Sequence, residues 1–476
     1  MAEQGTGRPV RIVLFTVLSV LMPAALLVGC TSSSPGTHPS GRPPATTSVA
    51  TSPSPATQSS ASPSAREASS RSQAPSPTAR TAAPSSPGAS PSHHWVTSAP
   101  GSLHALLTQL SAAIRHGRRA DFRALISHQD PGFTGTAEMI FDNLQGIGPS
   151  SFSLEASGDR RRLSKARRAV LGPNAYAAQV RVTWSVPGDR APSDQRVWMT
   201  VDKTGNGLGW AGISDGPPGP RPTPLWWLEP VHYIHTGAVT VIAGDGIDPQ
   251  GWAAAANTAV AKDVPRLRGA DWNRRLVIIV PSNERLLEQS IGAARGTDSA
   301  LAGITWPDGT RPAAAPIRIM INATGQPDSL ATAIVLAHEA VHVATRSPIS
   351  PAPTWLVEGY ADYIAYLSYP QGAQVAADDL LNGVKRDGPP DSLPGESDFG
   401  SQHPDLNRTY AEAWSVCRYL AEHYGSQKLW KFYQAVDQSP DGSIDGPARS
   451  AFGISQRQLV TGWQQHLRTA VHRGRI

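Results

Sequence analysis

The strongest constraint on this chain is a long stretch with no means of folding. Residues 31–100 are almost entirely Ser, Pro, Thr, Ala and Gly, as in Ser52-Pro53-Ser54-Pro55 and Ala83-Pro84-Ser85-Ser86-Pro87. Such a segment holds too little apolar surface to offset the entropy of ordering it, so it is expected to be an extended, disordered linker. Any core must therefore come from residue 101 onward, where the thirteen Trp and ten Tyr, all beyond residue 90, can supply it. The two cysteines offer no help: Cys30 ends the leader and Cys417 lies near the other end, so no disulfide between them is expected. Cys417, between Val416 and Arg418 in an apolar helical stretch without a nearby His motif, reads as a buried, inert thiol. A formal charge of +5 without a dense Lys/Arg block argues against a nucleic-acid partner.

The start of the chain has the order of an export signal over residues 1–30. Arg8 and Arg11 precede an apolar stretch from Ile12 to Val28, interrupted by Thr16, Ser19 and Pro23. It ends in Leu27-Val28-Gly29-Cys30, which resembles the bacterial lipobox. That resemblance implies cleavage before Cys30, a lipid on Cys30, and a protein anchored at the outer face of the cell membrane. The linker at 31–100 would then give a folded body its reach. A plain signal or a short membrane anchor is the alternative, although about 17 residues is the lower limit for a span.

Two folded regions follow, and together they make an α+β chain. In residues 101–220, Leu103, Leu106, Leu107, Leu110 and Ile114 recur at helical spacing, and a short helix is expected through Phe122, Leu125 and Ile126. The period then changes to two, with Val180, Val182, Trp184 and Val186 alternating with polar residues, and again at Val197, Met199 and Val201. A turn from Lys203 to Gly207 leads to a strand around Trp210 and Ile213. Helices followed by a curved antiparallel sheet resemble the cone-shaped domain of the nuclear transport factor 2-like superfamily. No acid/base constellation appears there, which fits an accessory domain. The Gly216-Pro217-Pro218-Gly219-Pro220 joint closes this region, and the Trp226-Trp227 pair reads as a packed seam, or else as a carbohydrate platform.

In residues 230–476, strands are expected at Val239–Ala243, Leu276–Val280, near Ile304 and at Ile317–Ile321, with helices at Ala253–Val264 and from Asn283 to Ile291. Beyond residue 328 the pattern is nearly all helical. The first of these helices, capped by Asp328 or Ser329, contains His338-Glu339-Ala340-Val341-His342. Histidines four apart share one helix face and can reach one zinc ion at about 2.0–2.1 Å. Glu339 is adjacent to the first ligand, on the side where water would sit.

The next segment, Thr354-Trp355-Leu356-Val357-Glu358-Gly359-Tyr360-Ala361-Asp362, resembles the "WL-x-E-G-x-A" helix of the gluzincins, the zinc metallopeptidases of the peptidase MA clan. The whole C-terminal region is similar to peptidase MA-like actinobacterial lipoproteins. The resemblance implies a zincin-type domain, a mixed sheet followed by a mainly helical half, holding one zinc per chain. It makes Glu358 the third zinc ligand and Asp362 the acceptor of a ligand imidazole N–H. It further implies hydrolysis of a peptide or protein substrate, with Glu339 as general base and Tyr410 as donor to the oxyanion. The interval from His342 to Glu358 is shorter than in the best-known gluzincins. His403 and His423 are weaker candidates for the donor, and Ile317–Ile321 is the strand expected to line the cleft. Gly359 is expected to serve close helix packing, since glycine costs about 1 kcal/mol in a helix interior. Two other readings stay open: a non-catalytic binding or adaptor lipoprotein on the same scaffold, and a cell-wall amide hydrolase.

Overall fold

In a computed structural model the described residues are 13–16, 100–204, 207–263, 266–267, 269–296, 301–323, 329–400 and 403–476. Cys30, nearly all of the 31–100 linker, Val264 and the alternative cap Asp328 lie outside them. The short strand β1 (Val13–Thr16) belongs to the leader. Among the described residues no helix is long and apolar enough to cross a membrane.

The N-terminal region begins with α1 (Leu103–Arg115), capped by Ser102, with its leucines buried as the helical spacing requires. Next come α2 (Arg119–Ala124) and α3 (Pro131–Ile147). The sequence reading missed α3, whose glycines and threonines dilute the apolar period, yet Asp130 caps it, Pro131 opens it and left-handed Gly148 ends it. The elements β2 (Ser151–Arg162), α4 (Lys165–Leu171), β3 (Tyr176–Ser185), β4 (Ser193–Thr204) and β5 (Gly207–Gly212) follow. The four strands form an antiparallel sheet in the order β2-β3-β4-β5. Val180, Val182 and Trp184 point into its core while Gln179, Arg181 and Thr183 do not, as the alternation anticipates.

After α5 (Leu225–Leu228) the chain builds a mixed sheet from β6 (Val231–Thr236), β7 (Val239–Gly244), β8 (Leu276–Val280), β9 (Leu301–Pro307) and β10 (Ile317–Ile321). Helix α6 (Pro249–Asp263) joins β7 to β8, and α7 (Glu284–Ile291) lies between β8 and β9. The strand order is β1-β9-β10-β8-β7-β6, with β7, β8 and β10 parallel and the remaining pairs antiparallel. Ile317–Ile321 is therefore interior, hydrogen-bonded to β9 and β8, and β9 lies between it and the leader strand β1. Sequence order misled here, because the chain lays β9 outside β10 and no local signal marks which of two apolar strands lies farther from the sheet centre.

The mixed sheet is covered on both faces, which is why Leu276–Val280 reads as an unbroken apolar run. Leu276, Ile278 and Val280 pack toward the helical half, whereas Val277 and Ile279 join the cluster of the N-terminal region. Trp226 and Trp227 belong to that shared cluster, buried and edge-on to each other. Trp184 meets Trp226 at 5.8 Å between ring centres. Neither ring is free to serve as a platform. Nearby, Asn143 donates to the carbonyls of Trp226 and Glu229, and accepts from the Val231 N–H. A fully buried Arg318 on β10 pairs with Asp189, from the loop between β3 and β4, and with Asp308. Its guanidinium lies 4.0 Å from the Trp184 ring centre.

The helical half consists of α8 (Leu330–Thr345), α9 (Thr354–Ser368), α10 (Pro370–Asp387), α11 (Leu406–Tyr424), α12 (Ser426–Asp437), α13 (Asp445–Phe452) and α14 (Gln456–Arg473). Cys417 is completely buried in α11 as a free thiol, and burial pushes its pKa well up. That matches an inert role.

Candidate metal centre

Helix α8 starts where the Ser329 hydroxyl accepts the Thr332 N–H, and it ends at Arg346 in the left-handed conformation. Nearly every residue in its second half is buried, histidines included. Polar groups so placed need partners. The four-residue spacing sets the two imidazoles edge-on, 4.5 Å between ring centres, and brings their Nε2 atoms to 2.8 Å.

Helix α9 supplies the carboxylates. Glu358 Oε2 lies 3.1 Å from His338 Nε2 and 3.4 Å from His342 Nε2. Among the described residues, His338, His342 and Glu358 form the group whose donor atoms converge closely enough to hold a metal ion. Asp362, one turn after Glu358, places Oδ1 2.8 Å from His338 Nδ1. An ionised carboxylate can only accept, so Nδ1 donates to Asp362, and Nε2 is the nitrogen that faces Glu358 and His342. On the second histidine the outer nitrogen meets Ser347, at 2.9 Å from Oγ to Nδ1.

This depth of α9 depends on Gly359. A β-carbon there would fall 2.2 Å from the carbonyl oxygen of Ala413 and 2.5 Å from its carbon, both backbone atoms of α11. The glycine lets the two helix backbones touch, as expected from its unfavourable helix propensity.

All the donors are buried, at 0–1% exposure. Burial alone would depress the His338 pKa, but the Asp362 and Glu358 carboxylates outweigh it and push the imidazole up to about 10. Burial opposes ionisation of Glu358, yet His342 and His338 hold its carboxyl below the ordinary value. Burial lowers His342. The cluster is thus a concentrated set of two imidazoles and one carboxylate facing inward, a donor set that suits zinc. The residues fit a zinc ion.

Glu339 is buried beside the ligands, and desolvation raises its pKa to about 7. Its Oε2 accepts a hydrogen bond from the Thr305 hydroxyl on β9, whereas Oε1 has no hydrogen-bond partner among the described residues. Tyr410, on α11, is also brought in: its ring centre lies 6.4 Å from that of His338 and 5.3 Å from that of Phe399. Burial, followed by the charges of Glu358, Asp362 and Glu339, pushes its pKa well above the ordinary value, so the phenol keeps its proton. His403 and His423 are not gathered here. His403 Nδ1 accepts the Asp405 N–H, and His423 sits 3.1 Å from the Tyr419 carbonyl near the end of α11.

Ser347, Thr305 and Gly303 escaped the sequence reading. A short hydroxyl side chain in a loop or strand has no local signature, and only the crossing of β9 over α8 brings Thr305 to Glu339. A groove of about 800 Å³ runs along the opposite face of α9, lined by Tyr360, Tyr363, Ile364, Leu367 and Trp430 among others, and none of the metal-site residues opens into it. No family model matches this sequence, and no curated protein matches it significantly.

Proposed function

We propose that this protein is a zinc-dependent hydrolase of peptide bonds with a gluzincin-like active site. The observation that carries the reading is the convergence of His338, His342 and Glu358 to within 2.8–3.4 Å of one another, with a buried carboxylate at Glu339 beside them. A zinc ion bound by these three residues would lower the pKa of water to about 7 and polarise a scissile carbonyl. Glu339 would accept the proton of the attacking water and return it to the leaving amine. Asp362 fixes the tautomer and orientation of His338, a role that commonly supports metal affinity. Tyr410, protonated and close to His338, is the proposed donor to the developing oxyanion.

The strand β9, whose outer side pairs with the leader segment β1, supports a peptide substrate. Residues Val13–Thr16 pair with it antiparallel, opposite Leu301, Gly303, Ile304 and Thr305. The main-chain groups that accept this leader segment would accept another extended chain in its place, and an extended substrate is proposed to pair there. Export and anchoring through a lipid on Cys30 complete the proposal and rest on the sequence of the leader.

The test is zinc content and peptide hydrolysis measured side by side on the wild type, His338→Ala, Glu358→Ala and Glu339→Gln. One zinc per chain is expected in the wild type and in Glu339→Gln, with loss in the two alanine variants. Hydrolysis should survive in the wild type only. Full activity in Glu339→Gln, or zinc retained without Glu358, would sink the reading.

A further inference from the structure

Glu339 is held from the strand side by two features of β9, a buried threonine hydroxyl and a glycine. Thr305 is completely buried, and its hydroxyl donates to Glu339 Oε2 while lying 3.4 Å from the Glu339 carbonyl oxygen. Two residues earlier, Gly303 leaves the space that the glutamate stem occupies. A β-carbon at Gly303 would stand 3.3 Å from Glu339 Cγ, 3.1 Å from Val335 Cγ1 and 3.1 Å from Ile321 Cδ1. Gly303 and Thr305 are two apart on a strand, so both face α8, whereas Ile304 between them packs into the N-terminal cluster.

We infer that Thr305 is a positioning residue that holds the Glu339 carboxylate by its Oε2 and so leaves Oε1 as the oxygen that takes up a proton from water. The inference rests on the reading of Glu339 as the general base. Three observations carry it. A carboxylate inside a buried site with only one of its oxygens bonded is oriented by that one bond, because no second partner competes among the described residues. The bond comes from a neighbouring strand and not from the helix that bears Glu339, so it fixes the side chain relative to β9. β9 is also the strand opposite which an extended chain pairs, at Thr305 itself. The base is thereby placed in register with the backbone groups that would bind a substrate, and Gly303 keeps the stem of the glutamate close to the strand. Orientation of a reacting group at this level of precision is a large lever on rate.

The experiment compares zinc-loaded full-length wild type, Thr305→Val and Thr305→Ser in peptide hydrolysis, zinc content and crystal structure. Valine keeps the branched shape and removes the donor; serine keeps the donor and removes a methyl group. Loss of a hydrogen bond to a charged group is expected to lower kcat roughly ten- to a hundredfold in Thr305→Val. KM and the one-zinc stoichiometry should be unchanged, and Thr305→Ser should return kcat to within about threefold of wild type. In the crystal, the Glu339 carboxylate should turn in Thr305→Val and stay in place in Thr305→Ser. A wild-type kcat in Thr305→Val overturns the inference, as does an unmoved Glu339 or a serine variant no better than valine. If the wild type binds zinc but cleaves no peptide, the peptidase reading fails by itself. The Glu339 conformation in the two variants still decides whether Thr305 positions that carboxylate.

Discussion

Replacing Gly359 with alanine separates local from tertiary control of the site. In an isolated helix the change should help by about 0.8–1.0 kcal/mol, the ordinary penalty for glycine in a helix interior. In this protein the added carbon would fall 2.2 Å from the Ala413 oxygen, against an ordinary contact of 3.4 Å, so α9 and α11 must part by about 1.2 Å. The obstructing atoms are backbone and cannot rotate away. Overpacking of this kind costs about 1–3 kcal/mol, and a clash with main chain belongs at or above the upper end of that range. The net expectation is a loss of about 2 kcal/mol or more. The cost also falls on the metal. Glu358 precedes Gly359 directly and Asp362 follows within a turn, so movement of α9 pulls both carboxylates away from the histidines on α8. Calorimetry of wild type and Gly359→Ala, each with and without zinc, reads the stability change. A chelator competition reads the affinity. The variant should melt lower and release zinc more readily. A melting temperature equal to or above that of wild type would refute the close approach of α9 and α11, and with it the placement of Glu358.

Two further outcomes are expected. Asp362→Asn should keep the shape of the site but weaken the hold on the His338 tautomer, lowering zinc affinity about ten- to a hundredfold in chelator competition; an unchanged affinity would mean the 2.8 Å contact plays no part in binding. Arg318→Met should strand the buried carboxylates of Asp189 and Asp308 and cost about 3–5 kcal/mol in thermal or denaturant unfolding, while adding Asp189→Asn and Asp308→Asn should recover most of it, since a whole buried ionic group can be exchanged for a neutral one; a single variant as stable as wild type would show that the cluster does not hold the N-terminal sheet to β10.

Much of the candidate metal-site geometry was legible in the residues because it is local. The spacing of His338 and His342 on one helix face, and of Glu358 and Asp362 on another, follows from 3.6 residues per turn. So does Gly359, whose low helix propensity signals that something else required it. The alternation at Val180, Val182 and Trp184 and the apolar run at Leu276–Val280 identified strands for the same reason. Where the local period was diluted, as in α3, the element went unread.

The remainder depended on which surfaces meet. A sequence carries the period of a strand but not its place in a sheet, so Ile317–Ile321 looked like the cleft strand until the order β9-β10-β8 placed it in the interior. It carries no sign that Thr305 faces Glu339 or that Ser347 meets His342, because those pairs arise from chain crossings and loop closure. It gives no hint that the N-terminal sheet packs on the mixed sheet through Trp226, Trp227 and the buried Arg318. Local spacing determined which side chains could act together along one element. Tertiary packing decided which elements face each other, because burial energy sums over whole surfaces and is not written in any single stretch of chain.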